Sequence, residues 1–207
     1  MKLLIEVGAY DGNDSLQYHK NGYVVYTFEP KKDLFESLFE KTKSLNNYTV
    51  INKAVCLENG TKLFNICKKG GASSLLEFRS DEELEKSWSA ARTDIQYSGK
   101  SYDVDTIRLD TFIENEGLQN TPIDYIHIDA QGVDLECLMS LGKYIKNVKA
   151  GVLETIVKQE KSIYVNQITN TFDNIKDFIE KNNFHITNVE NNDRTNCEYN
   201  VYFQSLS

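Results

Sequence analysis

The chain has 207 residues, 40% of them apolar, which suits one domain with a single sizeable core spanning residues 1–207. Its net charge is −8 and its lysines are dispersed among carboxylates, which argues against a phosphate-tracking surface: nucleic acid is not an expected partner, and a small molecule or glycan is. No apolar run reaches the roughly 18 to 20 residues of a membrane span, and the first residues lack the pattern of a signal peptide, so no membrane insertion is expected. Cys56, Cys67, Cys137 and Cys197 form no CxxC and have no histidine at ligand spacing. Reduced thiols in a cytoplasmic setting, with no metal assigned, follow from that.

In chain order, LLIEV (3–7) is a continuous apolar run of the kind that forms a buried parallel strand, and DSLQYHKNG reads as a short helix closed near Gly22. YVVYTF (23–28) is a second strand. KKDLFESLFEKTK then places Leu34, Phe35, Leu38 and Phe39 on one helical face, and TVINKAVC (49–56) is a third strand. ENG at 58–60 reads as a turn into LFNICK (63–68), an additional hairpin strand. From 69 to 103 the pattern is irregular, with an acidic helical piece around Trp88, and is expected to form a flap or insertion. VDTIRL (104–109) is an accessory strand and LDTFIENEG a short helix. IDYIHID (123–129) is the fourth main strand, 133–145 a helix, AGVLETIV (150–157) the fifth strand, and 167–182 a last helix. FHITNVE and EYNVYFQ close the chain; joined by turn-rich residues without a helix, they must pair antiparallel. Strands alternating with helices predict an α/β fold: a doubly wound, mostly parallel sheet with an antiparallel C-terminal edge hairpin.

Ligands in such sheets sit beyond the carboxyl ends of the strands, where the strand order reverses. The turn from Gly8 to Asn13 lies there, its glycines allowing close backbone approach, although its spacing is not the GxGxxG of a dinucleotide fingerprint. Glu6 stands within an apolar strand, either facing a ligand or bonded to backbone. Glu29 ends the second strand, where a carboxylate can accept both hydroxyls of a ribose; an exposed turn residue before Pro30 is the alternative. In YIHID, alternation puts Tyr125, His127 and Asp129 on one face and Ile126 and Ile128 on the other. Asp129 emerges where reacting groups gather, while His127, earlier in the strand, reads as a satisfied core histidine. Glu154 in the fifth strand either reaches the same crevice or is structural.

IEVGAYDG, FEP, NKAV followed by ENG, GGASSL, VDTIRLDTFI and IDYIHIDAQGVDLECLMSL resemble, in order and separation, the FkbM family of S-adenosylmethionine-dependent methyltransferases over residues 3–157. The resemblance implies the Rossmann-like class I methyltransferase fold and O-methyl transfer to a hydroxyl of a sugar, glycan or other small molecule, with S-adenosyl-L-methionine as cofactor. By position, Glu6, Gly8, Ala9, Tyr10, Asp11 and Gly12 would surround the methionine part, Glu29 the ribose, and Asn52, Lys53 and Ala54 the adenine edge. Asp129 and Gln131 would lie near the transferred methyl, with Asp129 as general base; Ser73 and Ser74 would meet substrate from the flap. Glu6 departs from the aspartate common at that position, and almost no sequence precedes the first strand. A nicotinamide oxidoreductase is disfavoured by the glycine spacing, and a nucleic-acid methyltransferase by IDAQ where an Asn-Pro-Pro-Tyr type of stretch is needed. A non-catalytic binding module acting with a partner chain retains the same fold.

Overall fold

A seven-stranded sheet runs through the molecule in the order β3-β2-β1-β7-β8-β10-β9. The computed structural model describes residues 2–68, 71–80, 96–157, 162–165, 167–191 and 198–206. The strands are β1 (Lys2–Val7), β2 (Tyr23–Phe28), β3 (Tyr48–Ile51), β7 (Tyr125–Ile128), β8 (Ala150–Ile156), β9 (Phe184–Asn191) and β10 (Glu198–Ser205). The first five are parallel, and β10 inserts between β8 and β9 antiparallel to both, giving the expected edge hairpin. The order reverses between β1 and β7. A second sheet, β4-β6-β5, consists of β4 (Ala54–Val55), β5 (Gly60–Cys67) and β6 (Tyr97–Ile107).

One face of the large sheet buries Leu3, Ile5, Val7, Ile126, Ile128, Leu153 and Phe203 against α3 (Leu109–Asn115), α4 (Asp134–Met139) and α5 (Phe172–Lys181), which supply Phe112, Leu138 and Ile175. Strand alternation sends the other set of side chains to the opposite face, where Leu4, Val25 and Tyr48 meet Leu16 of α1 (Asn13–Lys20). There, α1 packs on β1 and β2, and α2 (Lys32–Thr42) on β3. Leu38 is the buried centre of α2; Phe39, expected on the core face, is 45% exposed and stacks on Phe35 at the helix edge.

Several elements differ from their sequence reading. The strand expected over 49–56 is broken at Asn52, whose side chain turns back to donate to the carbonyls of Glu29 and Pro30 (2.8 and 3.2 Å), so Ala54 and Val55 leave the large sheet for the small one. LFNICK pairs not with that strand but with β6, and β6 begins at Tyr97, so residues 97–103 of the expected flap are strand, with a register shift between the Tyr97 and Lys100 pairs. The acidic piece around Trp88 lies outside the described residues. The helix expected over 133–145 stops at Met139: Gly142 takes φ +52, outside the helical range, and a 3₁₀ turn (Gly142–Asn147) follows. The last helix starts at Phe172 instead of 167, because Asn170 spends its amide on other segments and Thr171 caps the helix by accepting from the Asn174 N–H. No helix among the described residues is long and apolar enough to cross a membrane.

Candidate active site

Where the strand order reverses, a cleft of about 980 Å³, counting its open mouth, lies above the carboxyl ends of β1, β2 and β7. Its floor is the turn after β1. The Gly8 and Ala9 N–H groups both donate to the Phe28 carbonyl at 3.0 Å, folding the turn over the tip of β2. Gly8 has φ +84, and a β-carbon there would stand 1.9 Å from the Asp129 carbonyl oxygen, so only glycine lets the tips of β1 and β7 meet. Ala9, Tyr10 and Asp11 also line the cleft, whereas Gly12 serves as the left-handed N-cap of α1 against Leu38.

Glu29 forms one wall. It is buried, and its two oxygens accept from the Tyr10 and Lys31 N–H groups, both at 2.8 Å, which fixes the carboxylate. Burial raises its pKa to about 7, against the lowering effect of those two donors and the Lys31 charge. Lys53, Ala54 and Val55 continue this wall; Asn52 does not reach the cleft and holds the Glu29 turn from behind.

On the opposite side β7 shows the expected alternation, with Ile126 and Ile128 buried and Tyr125, His127 and Asp129 partly open. Asp129 lines the cleft and accepts from the Gln131 amide at 2.5 Å. Burial raises its pKa, opposed by that bond and by the His127 charge. Behind it, Asp134 is fully buried and clamps the Ala130–Gly132 turn: its oxygens accept from the Ala130 N–H (2.9 Å), the Gly132 N–H (3.0 Å) and the Asn170 amide (3.1 Å).

His127, expected to be a satisfied core residue, instead lines the cleft. Its Nδ1 lies 3.7 Å from the Glu6 carboxylate. Burial pulls the imidazole pKa down, but Glu6, Asp129 and Asp14 outweigh it and leave His127 raised. Glu6 itself does not line the cleft; it is buried, accepts from the Thr27 hydroxyl and supports His127 from the neighbouring strand. Glu6, Asp14 and His127 each bring one ligand atom within 4.8 Å of the others, the arrangement among the described residues that could hold a cation.

Of the segment 71–80, Gly71, Ser73 and Leu75 line the cleft. The Ser73 hydroxyl accepts from the Cys67 N–H at 3.2 Å. Ser74 is fully buried and acts as a tie, donating to the Gln131 carbonyl at 2.7 Å. The Tyr164 hydroxyl closes a three-way knot, bonded to the Ala72 carbonyl (2.8 Å) and to Gln131 Oε1 (3.1 Å). Glu154 is buried on β8 opposite Asn200 and is not among the residues lining the cleft.

Asp14, His127 and Asp134 are the site-forming residues that the sequence reading passed over or assigned elsewhere. Asp134 was visible as the second acid of IDAQGVD, and Asp14 as the acid in the first turn of the helix after the glycine loop. The His127–Glu6 contact depends on the register of β1 against β7, which no local pattern encodes.

No curated protein matches the chain by sequence. Among solved structures, the magnesium protoporphyrin IX methyltransferase of Synechocystis PCC 6803 with bound SAM aligns at TM-score 0.51 and 10% identity over 99% of this chain and 70% of that one. The protein WbdD aligns at TM-score 0.54 and 11% identity over 98% of this chain and 35% of that one. Another structure of WbdD, described as a bifunctional kinase-methyltransferase, aligns at 0.52 and 12% over 98% and 34%. The chain therefore spans about a third of WbdD, and at these identities the likeness is one of fold: the class I methyltransferase sheet. The sequence model of the methyltransferase FkbM domain matches residues 6–186, a span that contains every cleft-lining residue from Val7 to Val133, and the chain belongs to that family.

Proposed function

We propose that the protein is an S-adenosylmethionine-dependent O-methyltransferase acting on a hydroxyl of a small molecule or glycan. The observation that carries this reading is the switch-point cleft itself, with a glycine turn pressed against the Asp129 backbone on one side and a fixed, buried carboxylate, Glu29, on the other. The residues fit such a nucleoside. Each Glu29 oxygen accepts one backbone N–H, and a carboxylate has about four lone-pair sites, so both oxygens retain capacity for the two hydroxyls of a ribose. Lys53, Ala54 and Val55 offer a flat edge for a base, and Gly8, Ala9 and Tyr10 admit an extended chain close to the backbone.

When bound, S-adenosylmethionine supplies an electrophilic methyl whose carbon–sulfur bond breaks as the acceptor oxygen forms its bond to carbon. The protein must hold that oxygen in line at about 3 Å and take its proton. Asp129 is the residue assigned to the second task. Its position at the strand tip gives access to the cleft, its raised pKa makes the ionised form a better proton acceptor, and Gln131 fixes the carboxylate orientation. Cys56 and Cys137 are buried free thiols, which favours a reducing, cytoplasmic compartment.

The test is direct. Calorimetric titration with S-adenosylhomocysteine should give saturable binding, and a radiolabelled-methyl screen across hydroxylated sugars and glycans should label at least one. A cleft indifferent to S-adenosylhomocysteine would overturn the reading.

A further inference from the structure

On the α1 side of the large sheet a second cavity, about 520 Å³ counting its open mouth, lies over β7, β8 and β10. Asp14 and His127 border both this trough and the cleft, so the two spaces adjoin. Its remaining walls are Tyr18, Tyr125, Tyr202 and Asn200, with Val152 as the apolar floor. The alternation of the strands puts them there: Val152 stands between His127 of β7 and Tyr202 of β10, in register with both.

The walls are ordered. Tyr18 stacks on Tyr125 with ring centroids 5.3 Å apart and 24° between planes, and the Tyr202 hydroxyl donates to Glu190 at 3.1 Å. Phenol rings, hydroxyls and an amide together offer apolar faces and neutral hydrogen-bonding groups, the chemistry that receives a hydroxylated ring.

Charge narrows the choice. Asp14 borders both spaces, Asp129 lines the adjoining cleft and the buried Glu6 lies behind His127, which is the side chain among the trough's lining residues that can carry a positive charge. The two lysines of the cleft stand on the far wall, and each is already paired, Lys31 with Asp33 at 3.3 Å and Lys53 with Asp105 at 3.4 Å. Among the trough's described lining residues, an entering phosphate or carboxylate would meet the Asp14 carboxylate and a His127 already paired with Glu6 at 3.7 Å.

We propose that this trough is the acceptor subsite, and that it selects an uncharged, hydroxyl-bearing ring over the phosphorylated or carboxylated form of the same ring. The assignment rests on the cleft being the methyl-donor site. It extends that reading by placing the acceptor below His127, on the open face of the sheet, and by setting its charge.

The experiment is saturation-transfer NMR on the full chain saturated with S-adenosylhomocysteine. The probes are the methyl glycosides of glucose, galactose and mannose, their 6-phosphates and the corresponding uronides. At least one neutral glycoside should bind, about tenfold or more tighter than both of its anionic counterparts. Val152→Phe, which fills the trough, and Tyr202→Ser, at a half-buried position, should each weaken it about tenfold while leaving S-adenosylhomocysteine affinity within about twofold. Equal or tighter binding of the anionic probes would overturn the proposal. So would the absence of binding by every neutral probe, or neutral binding unchanged in both variants. Loss of S-adenosylhomocysteine binding in the unaltered protein would instead refute the donor-site reading.

Discussion

Replacing Gly8 by alanine asks the sheet to give way at its most crowded point. The added methyl would stand 1.9 Å from the Asp129 carbonyl oxygen, where carbon and oxygen normally keep about 3.3 Å or more. Relief means separating the tips of β1 and β7 by roughly 1.4 Å, which stretches the 2.9 Å bond from the Asp129 N–H to the Val7 carbonyl. Losing that bond costs about 1 kcal/mol. The forced displacement of packed strands costs a further 1 to 3 kcal/mol or so. Holding alanine at φ +84 adds about 1 to 2 kcal/mol. Gly22→Ala is the control: its φ is +83 but nothing lies within 4 Å of the added carbon, so it bears the conformational cost alone. The difference between the two variants, roughly 2 to 4 kcal/mol, should appear as a melting temperature lower by about 4 to 16 °C for Gly8→Ala. Differential scanning calorimetry measures both, and titration of Gly8→Ala with S-adenosylhomocysteine should show binding at least about tenfold weaker. Equal melting temperatures for the two variants would show that the strand tips are not in fact pressed together, and the account of the cleft floor would fail.

Other expectations follow from individual carboxylates. Glu29, raised from the ordinary 4.5 to about 7, binds a proton in the folded chain over a range where the unfolded chain does not. Stability should therefore fall as pH rises from about 4.5 to about 7, by about 3 kcal/mol at most from this group. In chemical denaturation the slope should be shallower for Glu29→Gln; an unchanged slope removes Glu29 as its source. S-adenosylhomocysteine affinity should rise through the same window, since ribose hydroxyls donate to the ionised carboxylate, and a flat profile would count against the ribose assignment. Asp129→Asn should keep S-adenosylhomocysteine affinity within about threefold and lower turnover of any acceptor found by about 10²- to 10⁴-fold; undiminished turnover eliminates Asp129 as the base. Asp134→Ala strips partners from one buried and one half-buried backbone N–H group and a buried amide, and should cost about 2 to 4 kcal/mol by denaturation, with less than about 1 kcal/mol refuting the clamp.

What the sequence made legible was periodic or local. Continuous apolar runs marked β1 and β2, alternation marked the open face of β7, and the helix-free spacing of the last two strands fixed their antiparallel pairing. Glu29 and Asp129 could be placed because strand ends are readable and the switch point follows from topology. What was missed depended on tertiary contacts. Nothing in TVINKAVC announces that Asn52 will bond backward to Glu29 and divert the chain. His127 looks like a core residue until β1 sets Glu6 beside it. Ser74, read as a substrate contact on the flap, is drawn inside by the Gln131 carbonyl across 57 positions of chain.

That last bond, with the Tyr164 hydroxyl, has a mechanical consequence. The wall that faces incoming molecules and the turn that aims Asp129 hang from one shared fastening at Gln131. Redesigning the former for a new acceptor would also swing the latter. Engineered breadth in this scaffold is therefore best sought at Tyr202, on the far bank, whose hydroxyl bonds to Glu190 and not to that hinge point.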